Sequence, residues 1–214
     1  MHHHCLSRVF THGFRIDMAV LLALGLICLP STASALSYGP NLVYNSDMEI
    51  GDANGPDGWT PSGNQTAYPW DTSQYHSATH SAKLVRNDSG NANWSGSYIN
   101  FSSPYPTEIN TSAWIKSRNC TSGVLVCLDI QVVLEDDTTH WEYADTSVAI
   151  NQDWQQVEDT LSYSQGIKRV KVWLLLYYGI GEAWFDDVVL RVPVEDPGWG
   201  DNLVYNSDME IGDS

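Results

Sequence analysis

The sequence predicts an all-β protein that folds as a jelly-roll β-sandwich. No long stretch shows the spacing of apolar residues that is typical of an amphipathic helix. Short runs rich in β-branched and aromatic residues occur instead, and clusters of Gly, Asn, Asp, Ser and Pro bound them as turns. The number and spacing of these runs favour a sandwich or jelly roll.

Strands are predicted along most of the chain after residue 40, with a long loop region over 51–80. The predicted strands are 41–49, 81–86, 96–102, 110–119, 124–135, 147–150, 155–163, 167–178 and 183–192. In the strand over 124–135, every even position from 124 to 134 is apolar and should face the core. The strand over 167–178 alternates in the same way, with its even positions from 170 to 176 directed inward.

Residues 1–35 are predicted to be an export signal rather than part of the fold. Two arginines precede an apolar run over 18–29, and small residues follow, with a cleavage site predicted after Ala35. The apolar run is too short for a relaxed membrane span, although an uncleaved anchor is the alternative. We therefore expect a secreted or cell-surface protein that is not inserted in a membrane after cleavage.

The charge balance narrows the classes of partner. The chain has 10 basic and 26 acidic residues and a net charge of −16, which argues against nucleic acid and against an anionic membrane surface. Calcium or neutral polar ligands such as sugars are compatible with it. Six Asn-x-Ser/Thr sequons indicate a glycosylated protein, although a β-protein rich in Asn, Ser and Thr would also contain some by chance. The sequons are Asn64, Asn87, Asn93, Asn100, Asn110 and Asn119.

Two cysteines, Cys120 and Cys127, remain after the predicted cleavage. An exported protein meets an oxidising compartment, so a disulfide between them is expected. If they pair directly across a hairpin, Arg118 faces Asp129, which is a favourable pair of opposite charges. Other arrangements of two cysteines at this spacing are also compatible with a bond.

The segment over 41–52 recurs letter for letter at 202–213. This repeat divides the chain into a module over 36–194, a linker over 195–201 and the first strand of a second module over 202–214. The copied strand is expected either to belong to a tandem array that continues beyond it or to exchange into a neighbouring chain. The module itself is expected to be a monomer.

Outward positions of the predicted strands combine aromatic with polar side chains. In the run 94–101, Ile99 and Phe101 are predicted to face inward, which leaves Trp94 and Tyr98 outward. An aromatic ring stacks on the apolar face of a sugar, and amide, carboxylate and cationic groups bind its hydroxyls. The alternative is that some of these rings extend the core. The candidate carbohydrate-binding residues are Trp94, Tyr98, Trp114, Lys116, Asp129, Gln131, Trp173 and Tyr177.

Several segments together resemble the carbohydrate-binding modules of families 4, 9 and 22, which accompany cellulases and xylanases. The matching segments are NLVYNSDME at 41–49, PDGW at 56–59, SAKLV at 81–85, TSAWIKS at 111–117, WQQV at 154–157 and EAWFDDVVL at 182–190. The resemblance spans about residues 40–194. It implies a galactose-binding-like jelly roll that binds polysaccharide or a cell-surface glycan.

The same resemblance implies a structural calcium ion that joins the first and last strands. Its side-chain ligands would be Glu49 and Asp186, with Asp187 as the alternative to Asp186. Backbone carbonyls near Gly51 and in the turn over 76–83 would complete the oxygen shell that calcium prefers.

No catalytic motif accompanies these features. The acidic residues Asp129, Glu135, Glu142 and Glu182 form no recognisable pair of acid and base, and the histidines form no triad or zinc site. We therefore expect a secreted, non-catalytic carbohydrate-binding module. The alternatives are a structural or adhesive repeat of a glycosylated surface protein and an accessory domain of a glycoside hydrolase.

Overall fold

A computed structural model describes residues 37–63, 69–143 and 151–194, and the statements below concern these ranges. Every regular element in them is a β-strand, which confirms the all-β prediction. The strands are β1 Ser37–Tyr38, β2 Gly51–Asp52, β3 Gly55–Pro56, β4 Thr60–Gly63, β5 Trp70–Asp71, β6 Ser81–Ser95, β7 Ile99–Asn100, β8 Glu108–Arg118, β9 Leu125–Leu134, β10 Thr139–Tyr143, β11 Gln155–Ser162, β12 Ile167–Arg191 and β13 Pro193–Val194.

Two long strands, β6 and β12, run through both layers of the sandwich. The first sheet has the order β10–β9–β12–β6–β4, and it uses the first half of β12 and the last residues of β6. The second sheet has the order β11–β8–β12–β6–β5. It contains the second half of β12 and the first residues of β6. Register shifts on either side of Gly179 mark where β12 passes from one sheet to the other. All these pairings are antiparallel, and the jelly-roll prediction is confirmed.

One apolar core lies between the two sheets. The even positions of β9 from Val126 to Leu134 are buried in it, and so are the even positions of β12 from Val170 to Leu176, as predicted. Ala113 and Ile115 of β8 enter the same core from the second sheet. Each fully buried aliphatic side chain of this size contributes about 1.5–3 kcal/mol, so this alternation fixes which face of each strand points outward.

The predicted strand over 41–49 is a turn. Asn45 and Met48 have positive φ angles of 47° and 58°, which breaks an extended conformation. The side chain of Asn45 holds the turn, because its Nδ2 donates to the Ile50 carbonyl at 2.7 Å and its Oδ1 accepts from the Ile50 N–H at 3.0 Å. Nearby, the Leu42 N–H still donates to the Leu190 carbonyl at 2.9 Å, which ties the segment to β12.

Other boundaries also differ from the predictions. The predicted strands 167–178 and 183–192 are one strand, because a bulged extended chain joins them without a turn. The strand predicted at 81–86 continues to Ser95, and β10 was not predicted. The predicted strand 147–150, the signal segment 1–35, the linker 195–201 and the repeat 202–214 lie outside the described residues. None of the described segments forms a long apolar helix of the kind that spans a bilayer.

The predicted disulfide is wrong in this structure, where Cys120 and Cys127 are free thiols. The prediction assumed that β8 and β9 form a hairpin, but β8 pairs with β11 and β12, whereas β9 pairs with β10 and β12. Cys120 lies in the core with its Sγ 3.8 Å from the Glu182 carbonyl oxygen. Cys127 lies on β9 at an odd position, and burial raises the pKa of its thiol to about 12. Arg118 is accordingly the cross-strand partner of Glu182 and not of Asp129.

Candidate functional site

The outer surface of the first sheet carries the side chains that alternate with the core residues of β6, β9, β10 and β12. We call this surface the polar-aromatic face, and define it by the residues in the following list. They are Asn93, Ser95, Tyr98, Cys127, Asp129, Gln131, Trp141, Tyr143, Arg169, Lys171, Trp173, Leu175 and Tyr177. Strand register sets them in rows, because cross-strand partners on one face lie side by side.

The central row crosses four strands. Tyr143 pairs with Asp129, Asp129 pairs with Trp173, and Trp173 pairs with Ser95. The rows on either side follow from the same register. One contains Trp141, Gln131 and Lys171, and the other contains Cys127, Leu175 and Asn93.

Three polar atoms of this face are buried and have no hydrogen-bond partner. They are Asn93 Oδ1, Asp129 Oδ1 and Trp173 Nε1. Asp129 is 4 % exposed and Asn93 is 6 % exposed, so water covers little of either side chain. Leaving a buried polar atom unsatisfied costs about 1–3 kcal/mol, and native proteins do so rarely. Two acceptors and one donor in adjacent rows of this face are therefore available to a ligand.

Burial raises the pKa of Asp129 to about 6. The backbone N–H of Ile130 counteracts this effect, and the charge of Glu142 adds to it. At neutral pH the carboxylate is thus ionised in surroundings that stabilise it poorly. It is a strong acceptor for a ligand hydroxyl.

Aromatic rings surround this centre. Trp141 is 49 % exposed and lies with its ring centroid 5.6 Å from that of Trp173, and Tyr143 is 51 % exposed. The Tyr177 hydroxyl accepts a hydrogen bond of 3.3 Å from Asn93 Nδ2. Tyr98 donates its hydroxyl to Gln131 Oε1 at 3.0 Å. These two hydrogen bonds hold the Tyr177 and Tyr98 rings on the same face as the unsatisfied atoms.

The structure brings five predicted site residues together on this face. They are Tyr98, Asp129, Gln131, Trp173 and Tyr177. Asn93, Trp141 and Tyr143 belong to the same face and were missed. A signal for two of them was available, since Trp141 and Tyr143 alternate with polar residues directly after an Asp-Asp turn. Asn93 was interpreted only as a sequon.

Trp94 is a correction. It was predicted to face outward, but it is fully buried in the core, and its Nε1 donates to the Lys83 carbonyl at 3.0 Å. The physical reason is that β6 ends at Ser95 and β7 starts at Ile99, so the alternation does not continue through Gly96. Extending the alternation backwards from Ile99 therefore assigns Trp94 to the wrong face.

Trp114 and Lys116 are a second correction, because they lie on β8 in the other sheet. There the Trp114 ring stacks on the His76 ring with centroids 3.7 Å apart. Lys116 Nζ donates to Asp153 Oδ1 at 2.7 Å. Alternation correctly excluded both from the core, but it does not tell which sheet a strand joins.

The outer surface of this second sheet resembles the polar-aromatic face in composition. We call it the second face, and it consists of Asp71, Lys83, Trp114, Lys116, Glu182 and Trp184. Its polar groups are paired within the chain. Trp184 Nε1 donates to Asp71 Oδ2 at 2.6 Å, and Lys83 Nζ lies 2.8 Å from Glu182 Oε2.

The predicted calcium ligand Glu49 holds a turn through hydrogen bonds. Its Oε1 accepts from the backbone N–H groups of Thr79 and His80 at 2.9 and 2.7 Å, and its Oε2 accepts from the Thr79 hydroxyl at 2.7 Å. Burial alone would raise the pKa of Glu49, but the hydrogen bonds from Thr79 and His80 outweigh it and lower the pKa to about 2.

The second predicted ligand, Asp186, is fully buried and binds the same turn. Its Oδ2 accepts from the backbone N–H groups of His76 and Ser77 at 2.8 and 3.0 Å, and its Oδ1 accepts from the Asp187 N–H at 2.8 Å. Burial raises the pKa of Asp186 to about 6, although the N–H groups of Ser77 and His76 counteract it.

This donor set does not fit calcium. N–H and O–H groups already point at the carboxylate oxygens that the ion would need, and a cation repels such donors. The alternative ligand Asp187 likewise accepts from the Ser77 hydroxyl at 2.7 Å. Within 37–63, 69–143 and 151–194, no group of three or more His, Cys, Asp or Glu side chains is placed to hold a metal. The calcium is thus only what the resemblance implies, these hydrogen bonds argue against it, and no function is derived from it.

Comparison with solved structures confirms the resemblance at the level of the fold. The C-terminal family 22 carbohydrate-binding module of Clostridium thermocellum Xyn10B superposes with a TM-score of 0.54 at 15 % identity, covering 72 % of this chain and 96 % of that chain. A xylan-binding domain, also of family 22, gives a TM-score of 0.53 at 14 % identity, covering 72 % and 97 %.

A third similar structure is the enzymatically active domain of tailspike protein 4 from bacteriophage CBA120. Its TM-score is 0.53 at 14 % identity, and the match covers 72 % of this chain but only 21 % of that chain. No protein-family model matches the chain, and no sequence among the curated proteins does either. At these identities the similarity concerns the fold, which is the β-sandwich jelly roll of such modules.

Proposed function

We propose that the chain is a secreted, non-catalytic module that binds polysaccharide on its polar-aromatic face. The observation that carries this proposal is the group of three buried, unpartnered polar atoms of Asn93, Asp129 and Trp173, set beside exposed aromatic rings. Sugar hydroxyls both donate and accept hydrogen bonds, so a single sugar residue can bond the donor atom and the acceptor atoms of this face. The fold similarity to a family 22 module and to a xylan-binding domain supports the proposal.

Stacking and hydrogen bonding act on different parts of the same sugar. The C–H surface of a pyranose ring packs on Trp141 or Tyr143, which are about half exposed. Its hydroxyls then reach Asp129 in the central row, because Asp129 is the cross-strand partner of Tyr143. A row that crosses four strands fits an extended chain better than a single sugar.

Cleavage is not part of the proposal, because the usual glycosidases use a pair of carboxyl groups that flank the bond. Asp129 lies on the polar-aromatic face. Glu142, whose charge raises the pKa of Asp129, instead accepts a hydrogen bond of 3.0 Å from the Tyr163 hydroxyl. Tyr163 packs against the core, so Glu142 is engaged on the inner side of β10.

The test is affinity electrophoresis of the full chain against a panel of soluble plant, algal and bacterial polysaccharides. Trp173→Ala should weaken binding to the retained polymer by about tenfold, since a stacking and hydrogen-bonding partner is lost. Trp114→Ala on the second face is the matched control and should bind like the wild type.

Thermal melts of both variants establish that they are folded. Equal losses in both variants, or a loss in Trp114→Ala alone, would contradict the assignment of the face. Retention by no polysaccharide in the panel would favour the structural or adhesive role instead.

A further inference from the structure

Two cations lie side by side at one end of the polar-aromatic face. Arg169 and Lys171 are two residues apart on β12 and therefore share a face with Trp173. The Arg169 guanidinium carbon is 4.7 Å from the centre of the Tyr98 ring. Lys171 Nζ is 5.5 Å from the same ring and 4.5 Å from the Trp173 ring. The Tyr98 ring contacts both cations, and the Trp173 ring, whose Nε1 is unpartnered, contacts Lys171.

Four other cations of this acidic chain are paired with carboxylates. Lys83, Arg86, Lys116 and Lys168 each have a carboxylate within 4.0 Å. Among the described residues, Arg169 and Lys171 have none, as is also true of Arg118 and Arg191, but only Arg169 and Lys171 lie together on the polar-aromatic face.

Their cross-strand partners do not supply one either. Arg169 pairs with Val133 and Asn100, and Lys171 pairs with Gln131. Lys171 is half-buried, and burial lowers the pKa of its ammonium group. A partly desolvated cation without a counter-ion is unfavourable until an anion reaches it.

We propose, building on the function proposed above, that the polysaccharide is an acidic one whose uronic acid carboxylates bind Arg169 and Lys171. A guanidinium donates two parallel hydrogen bonds to a planar carboxylate, and the adjacent ammonium adds a third. The sugar ring that carries the carboxylate would then lie over Tyr98 and Trp173, which flank Lys171. Asp129 and Asn93 would receive the hydroxyls of the neighbouring sugar.

The net charge of −16 does not prevent this binding. At physiological ionic strength the Debye length is about 8 Å, so exposed charges farther than that from the ligand are largely screened. The field that a bound carboxylate experiences is therefore set by the residues around it. Arg169 and Lys171 face no acid across the strands, and the nearest carboxylate on this face, Asp129, lies one row away opposite Trp173.

The experiment compares one uronic-acid-containing polysaccharide with the same polymer after its carboxyl groups are reduced to neutral alcohols. Isothermal titration of the full chain should give roughly tenfold tighter binding to the native polymer, and this preference should shrink as salt is raised. The double variant Arg169→Gln/Lys171→Gln should bring the ratio of the two affinities to about one. Matched controls are Arg191→Gln, at the far end of the same strand, and Lys168→Gln, whose ammonium group is already paired with Asp137, and both should keep the preference.

The outcomes separate the two proposals. Equal affinity of the wild type for native and reduced polymer overturns the uronic acid assignment and leaves polysaccharide binding intact. Binding to neither form, nor to any neutral polysaccharide, overturns the proposed function itself. Tighter binding of a sulfated polymer of equal charge density overturns the choice of carboxylate as the anion. The comparison of the two polymers with the wild type needs no variant to fold.

Discussion

The polar-aromatic face and the second face have similar residues but different internal pairing. Each presents a tryptophan, lysine and carboxylate on neighbouring strands, and β12 contributes to both. On the second face, Trp184 Nε1 donates to Asp71 at 2.6 Å. On the polar-aromatic face, Trp173 Nε1 and the Asp129 Oδ1 of the adjacent strand have no partner. The difference teaches that composition does not distinguish the two faces, whereas their unsatisfied hydrogen bonds do, and these make the polar-aromatic face the candidate for binding.

The first prediction tests that comparison with the same substitution at both tryptophans. Trp184→Phe should lower the free energy of unfolding by about 2 kcal/mol, because the buried Asp71 carboxylate loses a charge-assisted hydrogen bond. Trp173→Phe removes a donor that bonds nothing in the chain, so stability should be unchanged within about 0.5 kcal/mol.

Chemical denaturation measures both effects, and affinity electrophoresis gives the complementary readout. Polysaccharide binding should weaken by roughly fivefold in Trp173→Phe and stay at the wild-type level in Trp184→Phe. If Trp173→Phe proved as destabilising as Trp184→Phe, the distinction between the two faces would be lost.

The second prediction concerns Asp129, whose pKa is raised from 3.8 to about 6 by burial. A raised carboxyl pKa means that the folded state holds the proton more tightly than the unfolded state. The protein therefore loses stability as pH rises from about 4 to 6, by an amount on the order of 2 kcal/mol from this group. Asp129→Asn removes the penalty, so it should be more stable than the wild type above pH 6 and equal to it below pH 4.

Thermal melts of both proteins across this pH range provide the measurement. Glu49 is the internal contrast, because its pKa is lowered to about 2 and its stabilising contribution is lost only as pH falls below 4.5. A stability difference between Asp129→Asn and the wild type that did not change with pH would show that burial of the charge is not its cause.

The third prediction is that chelation has no effect. The turn over 76–80 is held by hydrogen bonds to Glu49 and Asp186, so a calcium chelator should leave the melting temperature unchanged. Glu49→Gln should lower it instead, because an amide accepts the Thr79 and His80 hydrogen bonds more weakly than a carboxylate. A clear drop in melting temperature on chelation, reversed by calcium, would restore the metal site that the sequence resemblance implies.

Local alternation made part of this molecule predictable. The alternation predicts an outward position for Asp129, Gln131 and Trp173. Each of them has a buried apolar residue directly before and after it in the strand. Trp94 was misplaced because Gly96 interrupts the alternation, and the turn at Asn45 was missed because side-chain hydrogen bonds override an extended pattern.

Pairing between strands was the part that the sequence left open. Neighbouring strands usually form hairpins, but here β8 and β9 enter different sheets, which separates Trp114 and Lys116 from Asp129. The passage of β6 and β12 through both layers depends on long-range packing rather than on any local signal. The unsatisfied atoms that define the site follow from this pairing, so no motif announced them.

The short ladder between β1 and β13 has a mechanical consequence. It pairs Ser37 with Val194 and Tyr38 with Pro193, so the chain enters and leaves the described module at neighbouring points. Tension applied through these two points would act on this two-residue ladder first. It would separate the two residue pairs one after the other. The strands of the two sheets would not carry the force at this stage. The polar-aromatic face would therefore keep its shape while the ends are pulled apart.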